Sequence, residues 1–533
     1  DTEYQMTEEK RRRMKMGYEK ETAKSVWTAD RRDGTYRNPI LYADYSDLDA
    51  IRVGEDYFMI ASSFCNTPAI PVLHSRDLVN WKVINYVAEN IPLPGYDVPR
   101  HGCGVWAPAI RYHEGVYYVL VPFPDEGIMV SRTTDPWGSW SRLEYIKKVT
   151  GWIDPCPFWD EDGKAYMVSA FAKSRIGLGS WLYLSPMKED CSELTGEGKF
   201  IYDGHKTQPT IEGPKLYKRN GYYYIFAPAG GVTNGWQTVL RSRNIEGPYE
   251  ERIVLHQGKT SVNGPHQGAW VETPNGESWF LHFQEAGNAG RVIHLQPMRW
   301  EEDWPVIGEN QDESGCGEPV PFYRKPDVGG EYPVETPDTD DDFQNGRPGL
   351  QWQWNANHRE EWYACGNGIL KLYAQKTGMR VKLCDVANLL LQKWPGPEFA
   401  VSVLLLLDEW EEGDIGGLVT LGGHYSALML ERKDGKMLLQ QWSGIWNEGE
   451  ESHEYLEEIS GNRLYIRLMV KETKTVSYQI SEEGKEFRTV GRSEVVTPGK
   501  WVGVKTGLGA VHPGNGKTGA LKAAFFHIDP LCR

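Results

Sequence analysis

The chain has 533 residues, a formal net charge of −16 and no apolar run long enough to cross a membrane as a helix. That length predicts two or three domains, and the negative charge leaves nothing to neutralise phosphates, which excludes a nucleic-acid partner. Hydrophobic content of 40% with 25% charged residues describes a folded globular chain, and 21 Trp with 28 Tyr suit either an aromatic-rich β protein or a cleft that stacks on sugar rings.

Residues 1–36 read as a charged helix and a connector, the run Lys10-Arg11-Arg12-Arg13 being diluted by Glu8, Glu9 and Glu19. Residues 1–30 carry no signal-peptide core. Eight cysteines (65, 103, 156, 191, 316, 365, 384 and 532) show no CxxC pair and no framework spacing. Dispersed thiols at this density favour a reducing compartment, so a cytoplasmic location is expected and no membrane partner.

Residues 37–318 read as short strands separated by Gly, Pro, Asn and Asp, with almost no helical periodicity. An aromatic strand recurs: Tyr57-Phe58-Met59-Ile60, Tyr117-Tyr118-Val119-Leu120, Ala165-Tyr166-Met167-Val168, Tyr222-Tyr223-Tyr224-Ile225 and Trp279-Phe280-Leu281-His282. A second recurrence follows it in Leu73-His74-Ser75-Arg76-Asp77-Leu78-Val79-Asn80-Trp81, Met129-Val130-Ser131-Arg132 and Leu240-Arg241-Ser242-Arg243. Five units spaced roughly 50 residues apart predict a five-bladed β-propeller, the alternative being an irregular sandwich. Residues 319–341, rich in Pro and Asp, have linker composition. Residues 342–533 alternate as strands at 425–430, 464–470, 475–480 and 501–504, with hairpin turns at Asp434-Gly435 and Glu483-Gly484. That pattern predicts a β-sandwich of the lectin-like jelly-roll kind, making the whole chain all-β.

Three acids stand just ahead of the first strand in units one, three and four: Asp47 in Tyr45-Ser46-Asp47, Asp154 in Trp152-Ile153-Asp154-Pro155, and Glu212 in Ile211-Glu212-Gly213-Pro214. Residues at the same place in successive repeats of a closed ring meet at its axis. Glycoside hydrolysis needs one carboxylic acid to protonate the leaving oxygen and one carboxylate to activate water or attack, and a third can hold the proton on the acid. A lone Asp at a strand start is ordinarily a turn or cap, but three in register point to chemistry. Asp44 and Asp49 are near enough to compete with Asp47 as base.

Asn38-Pro39-Ile40-Leu41, Tyr45-Ser46-Asp47, Val105-Trp106-Ala107-Pro108, Trp152-Ile153-Asp154-Pro155 and Glu212-Gly213-Pro214, in this order, resemble glycoside hydrolase family 43 across residues 37 to 308. The C-terminal region is similar to the sandwich of that family's β-xylosidase and α-L-arabinofuranosidase branch. The resemblance implies inversion at the anomeric carbon, with Asp47 as general base, Asp154 as pKa modulator and Glu212 as general acid. Ser46 and Leu48 stand where many members carry prolines. By the same resemblance Arg291 contacts sugar hydroxyls, Phe64 and Trp106 wall the terminal sugar, and His266 lies near a central cation, a structural calcium at the propeller axis. No cofactor is needed for the chemistry.

The expected protein is an exo-acting hydrolase that removes terminal β-D-xylose or α-L-arabinofuranose from xylan-derived oligosaccharides or polysaccharides. Its rivals are an arabinan- or galactan-acting hydrolase of the same fold and a non-catalytic carbohydrate-binding propeller. Residues 507–519, Gly-rich and containing His512 and Asn515, are the expected sandwich loop that closes one end of the cleft.

Overall fold

The computed structural model describes residues 25–378 and 381–531. Most of the charged helix expected near the start lies outside them. Five four-stranded antiparallel sheets run in chain order, each with its strands in sequence order. Blade one is Asp49–Val53, Asp56–Ile60, Ala69–Ser75 and Lys82–Ala88; blade two is Ala109–His113, Val116–Phe123, Gly127–Thr133 and Glu144–Lys148. Blade three is Trp152–Trp159, Ala165–Phe171, Trp181–Met187 and Lys199–Asp203; blade four is Lys215–Arg219, Tyr222–Ala229, Trp236–Ser242 and Glu250–Leu255. Blade five is His266–Glu272, Ser278–Glu285, Arg291–Glu301 and Trp304–Ile307. Every recurrent aromatic run is the second strand of its blade, because there both faces pack against neighbouring blades and bulky side chains fill the wedge between sheets.

The second recurrence is a turn device. Ser75 Oγ accepts the N–H of Asp77 and Leu78, and Asp77 Oδ1 accepts those of Val79 and Asn80 at 3.0 and 2.8 Å. The chain reverses tightly and buried Trp81 donates its indole N–H to the Leu78 carbonyl at 2.7 Å. Local side-chain bonds of this kind replace the ladder where the strand ends.

Ring closure is made by the segment just before blade one. Ile40 N–H donates to Ile293 of blade five at 2.7 Å, Ile293 N–H returns to Leu41 at 3.0 Å, and Tyr45 N–H reaches the Arg291 carbonyl. Asn38 anchors this seam: its Oδ1 accepts Leu295 N–H at 2.9 Å, and its Nδ2 donates to the Leu295 and Val320 carbonyls at 2.8 Å each. The stretch of linker composition is not free chain. Phe322–Arg324 pairs with Thr35–Arg37, and Lys325 Nζ lies 2.6 Å from Asp30 and 2.9 Å from Asp77.

The remaining chain forms two stacked sheets, antiparallel except where Gln375–Lys376 pairs in parallel with Val511 and His512 at the edge of the first. One runs Gln353–Trp354, Leu390–Lys393, Lys505–His512, Ile415–Leu421, His424–Lys433, Lys436–Ile445 and Glu448–Ile459; the other runs Tyr363–Gly366, Ile369–Tyr373, Ala520–Pro530, Phe399–Leu406, Arg463–Lys471, Thr475–Ser481 and Arg488–Val495. Alternation is plain in Arg463–Lys471, where Leu464, Ile466, Leu468 and Val470 are buried and their neighbours are not. Asp434 and Gly435, at φ 51° and 74°, make the two-residue hairpin between Lys433 and Lys436. Residues 501–504, expected as a strand, form an irregular segment instead. The sandwich grips the propeller by backbone: Thr67 and Trp354 exchange N–H···O bonds, and Asn357 pairs with both polar groups of Ile91.

Asn38→Ala removes three part-buried bonds at the closure seam and should cost about 3 kcal/mol, since each bond is worth roughly 1 kcal/mol. Denaturant titration of purified variant and wild type, followed by Trp fluorescence, measures that loss.

Candidate active site

The first strands of blades five, one, two, three and four contact one another in that order, and the first strand of blade five packs on the second strand of blade four. Asp47, Asp154, Glu212 and Gln267, at the starts of four of these strands, line one cavity. The chain turns into four of these strands through a residue of positive φ: Asp47 at 54°, Asp154 at 54°, Gly213 at 59° and Gln267 at 37°. Three are not glycine, and an L-residue there is held in place by its surroundings at a cost of order 1–3 kcal/mol. In blades three and five the residue sits in a register slip, between Ile153 and Cys156 and between His266 and Gly268. The slip turns the side chain from the sheet face to the axis. Ser46 and Leu48 in place of prolines leave the turn unchanged, since Asp47 has the same φ as Asp154, which Pro155 follows. The three acids are therefore not fully equivalent. Glu212 precedes the kink residue of its blade, and its counterpart in blade five is His266.

Asp47 is buried and ionically paired. Arg291 Nη1 donates to both of its oxygens, at 2.8 and 3.0 Å, and Ser62 Oγ donates to Oδ2 at 2.8 Å. Bonds of this kind favour the carboxylate form and aim it. Arg291 Nε is buried without a hydrogen-bond partner among the described residues. Asp44 and Asp49 do not compete with Asp47. Both oxygens of Asp44 accept backbone N–H groups, and Asp49 Oδ2 is taken by Ile110 N–H and by Arg111 at 2.6 Å.

Asp154 accepts the N–H of Gly213 at 2.7 Å and faces the Gln267 amide. Burial, then the Glu212 carboxylate, pushes Asp154 up to about 7, while the buried Lys215 ammonium pulls the other way. Glu212 is 31% exposed and takes a hydrogen bond of 2.9 Å from His266 Nε2. So His266 contacts the acid rather than standing free at the axis. Its Nδ1 is buried without a partner, but among the described residues no group of three or more metal-ligating side chains includes it. Calcium takes six to eight oxygen ligands, and this donor set supplies one nitrogen. The fit is poor.

Asp47, Asp154, Glu212, Phe64, Trp106 and Arg291 line a single cavity of about 620 Å³. Phe64 is fixed by mutual backbone bonds with Val105 at 2.9 and 3.0 Å, and Gly104 permits that approach, since a Cβ there would lie 2.2 Å from the Phe64 carbonyl oxygen. Trp106 lies under the Arg175 guanidinium at 4.9 Å and meets Trp501 edge-on at 4.9 Å. Trp501 comes from the sandwich and lines the same cavity. The loop expected in that place, residues 507–519, lines none of it. His512 ends a buried strand and bonds Asp414 at 2.9 Å, and Asn515 offers its carbonyl to Lys376. Residues 507–512 belong to the fully buried strand Lys505–His512, and residues 513–519 connect it to Ala520–Pro530. The wall is the irregular segment just before Lys505. Gln267 and Ser62 were also missed, although Gln267 directly follows the histidine that drew attention.

The glycosyl hydrolases family 43 model matches residues 36–305, and the β-xylosidase C-terminal concanavalin A-like model matches residues 340–529. The chain belongs to glycoside hydrolase family 43. A provisionally named β-xylosidase of Xylanibacter ruminicola is 40% identical over 90% of this chain and 86% of that protein. A β-xylosidase of Formosa agariphila is 33% identical over 90% and 88% of the two chains. The crystal structure of a family 43 protein from Bacillus licheniformis, 26% identical, superposes with a TM-score of 0.81 over 93% of this chain and all of that one. This family 43 protein is thus a glycosidase, built as a five-bladed propeller with a concanavalin-like sandwich. Family members need no cofactor for catalysis.

Asp154 is held protonated in the fold up to about 7, against 3.8 when exposed. Its unfolded form releases that proton first, so stability falls as pH rises from roughly 4 to 7. Asp154→Asn removes the slope. Its Tm should exceed that of wild type by several degrees at neutral pH and by much less near pH 4.5, in paired differential scanning calorimetry.

Proposed function

We propose that this family 43 enzyme is an exo-acting, inverting glycosidase that removes terminal pentoses, β-D-xylose or α-L-arabinofuranose, from xylan- or arabinoxylan-derived oligosaccharides. The observation that carries the reading is the single cavity in which Asp47, Asp154 and Glu212 meet Arg291 and four aromatic side chains, Phe64, Trp106, Phe171 and, from the second domain, Trp501. Its size suits a monosaccharide and closure on one side favours a chain end. Relatives with β-xylosidase names at 40% and 33% identity support xylose, and an arabinofuranosidase among the relatives supports the second sugar.

In this reading Asp47, kept ionised by Arg291, takes a proton from water, and that water attacks the anomeric carbon. Glu212 protonates the glycosidic oxygen from the other face. The proton held between Asp154 and Glu212 is delivered by Glu212, the exposed member, while Gly213 N–H stabilises the charge left on Asp154. His266 fixes the Glu212 carboxylate, and Arg291, which lines the cavity, supplies a guanidinium edge for sugar hydroxyls.

Release of nitrophenol from aryl β-xyloside and aryl α-arabinofuranoside, assayed side by side, tests the activity; inertness toward both defeats it. Proton NMR of the first-formed sugar should show inverted anomeric configuration, and a retained product would refute the single-step mechanism. Glu212→Gln should lose about 10²–10⁴-fold in kcat on xylobiose and far less on substrates with activated aryl leaving groups. Equal losses on both would remove Glu212 from the acid role.

A further inference from the structure

Asp44 is an acid near the base that the chemistry leaves unused, and both its oxygens accept backbone N–H groups. Oδ1 accepts the N–H of Arg291 at 2.9 Å, in the propeller. Oδ2 accepts the N–H of Gly503 at 2.9 Å, in the sandwich. We propose that Asp44 is a positioning residue that registers the sandwich segment carrying Trp501 against the arginine that holds the base.

Asp44 also faces the ammonium groups of Lys393 and Lys505 in the sandwich, so its charge and its two bonds act on the same side of the interface. The blade-five turn at residues 287–291 alternates between the two domains. Asn288 donates to the sandwich carbonyls of Thr473 and Val496 at 2.7 and 2.9 Å and accepts Val504 N–H at 2.8 Å. Three residues on, Arg291 turns its guanidinium to Asp47. Two glycines let the segments touch: a Cβ on Gly290 would fall 2.4 Å from Asp44 Cγ, and a Cβ on Gly503 would fall 2.8 Å from Gly290 N. Trp501, two residues before Gly503, then stands in the cavity as its wall. One buried carboxylate therefore sets two things together: the backbone from which Arg291 reaches Asp47, and the depth to which the Trp501 wall enters. A carboxylate suits the task because it offers acceptors on both oxygens and no donor. An asparagine would turn an amide N–H₂ toward one of the two N–H groups.

The inference rests on Asp47 being the base. Asp47 faces the Arg291 guanidinium and Ser62 directly and Asp154 and Glu212 across the cavity, and only the first of these is changed by moving Asp44. The test uses the full chain with aryl β-xyloside, reading Tm, kcat, KM and the acid limb of the kcat/KM–pH profile. Asp44→Asn and Gly503→Ala should each lower kcat at least about tenfold, raise KM, and move the acid limb to higher pH, because a loosened guanidinium favours the ionised base less. Trp501→Ala should raise KM and leave the acid limb in place. Gly503→Ala keeps the carboxylate and decides the matter if Asp44→Asn does not fold. An acid limb unmoved in the folded variants, with or without loss of kcat, overturns the coupling. An inactive wild-type enzyme would sink the functional reading and this inference together; an active one with unmoved limbs sinks this inference alone.

Discussion

The charge pair between Asp47 and Arg291 joins the first blade to the last, and it forms only when the ring is shut. More than 240 residues of sequence separate the partners, and the bonds between residues 38–45 and blade five bring them to 2.8 Å. Both groups are buried, so neither is tolerable alone: removing one partner of a buried pair typically costs about 3–5 kcal/mol because the other is left uncompensated. Closure of the fold and readiness of the base are thus one event. An open or misregistered ring would pay for two unpaired charges at its axis, and this favours the closed arrangement beyond what apolar packing between blades supplies.

The opposite logic governs Asp154 and Glu212. They carry no arginine; they face each other with burial on one side and the cavity on the other, and a proton is the cheapest counter-charge available. The axis therefore holds one carboxylate, Asp47, bonded to a guanidinium, and another, Asp154, on which burial first and the Glu212 carboxylate second keep a proton. Acid and base are separated by environment rather than by residue type, which is how two similar side chains take opposite protonation states in one site. His266 adds orientation. As the blade-five counterpart of Glu212 it reaches the acid from the adjacent blade, so the repeat supplies both the residue and its partner.

Much of this was legible in the chain. The aromatic strands and the Ser-Arg-Asp turns reveal the blades because each blade must fill the same wedge and reverse at the same radius. Asp47 and Asp154 stood out because the same kink recurs before the same strand. Glu212 was found for a slightly inaccurate reason, being one residue out of step, since Gly213 takes the strained position in its blade. Arg291, Phe64 and Trp106 were legible through resemblance alone; no local rule says that an arginine at the start of a blade-five strand faces the axis. Trp501 was not legible. Its segment alternates like a strand, and only contact with the other domain, at Asp44, Asn288 and Gly290, makes it irregular. His266 was placed near a cation by resemblance alone, and its bond to Glu212 was not legible in the sequence.

A propeller alone presents a funnel open across its whole end, and the wall from Trp501 makes this one lopsided. The sandwich cannot supply that wall by apolar docking, because one of its contacts is with the polar turn beside the catalytic arginine. Its registration there uses backbone amides, an asparagine and a carboxylate, all directional, so the error in placing Trp501 is set by hydrogen-bond geometry rather than by the looser tolerance of a greasy interface. Buried polar contacts between domains contribute little net stability, yet they specify one relative placement and penalise others, since each misplacement leaves a buried group unpaired. A site whose preference for chain ends depends on where one indole sits has reason to spend its interface on bonds of that type.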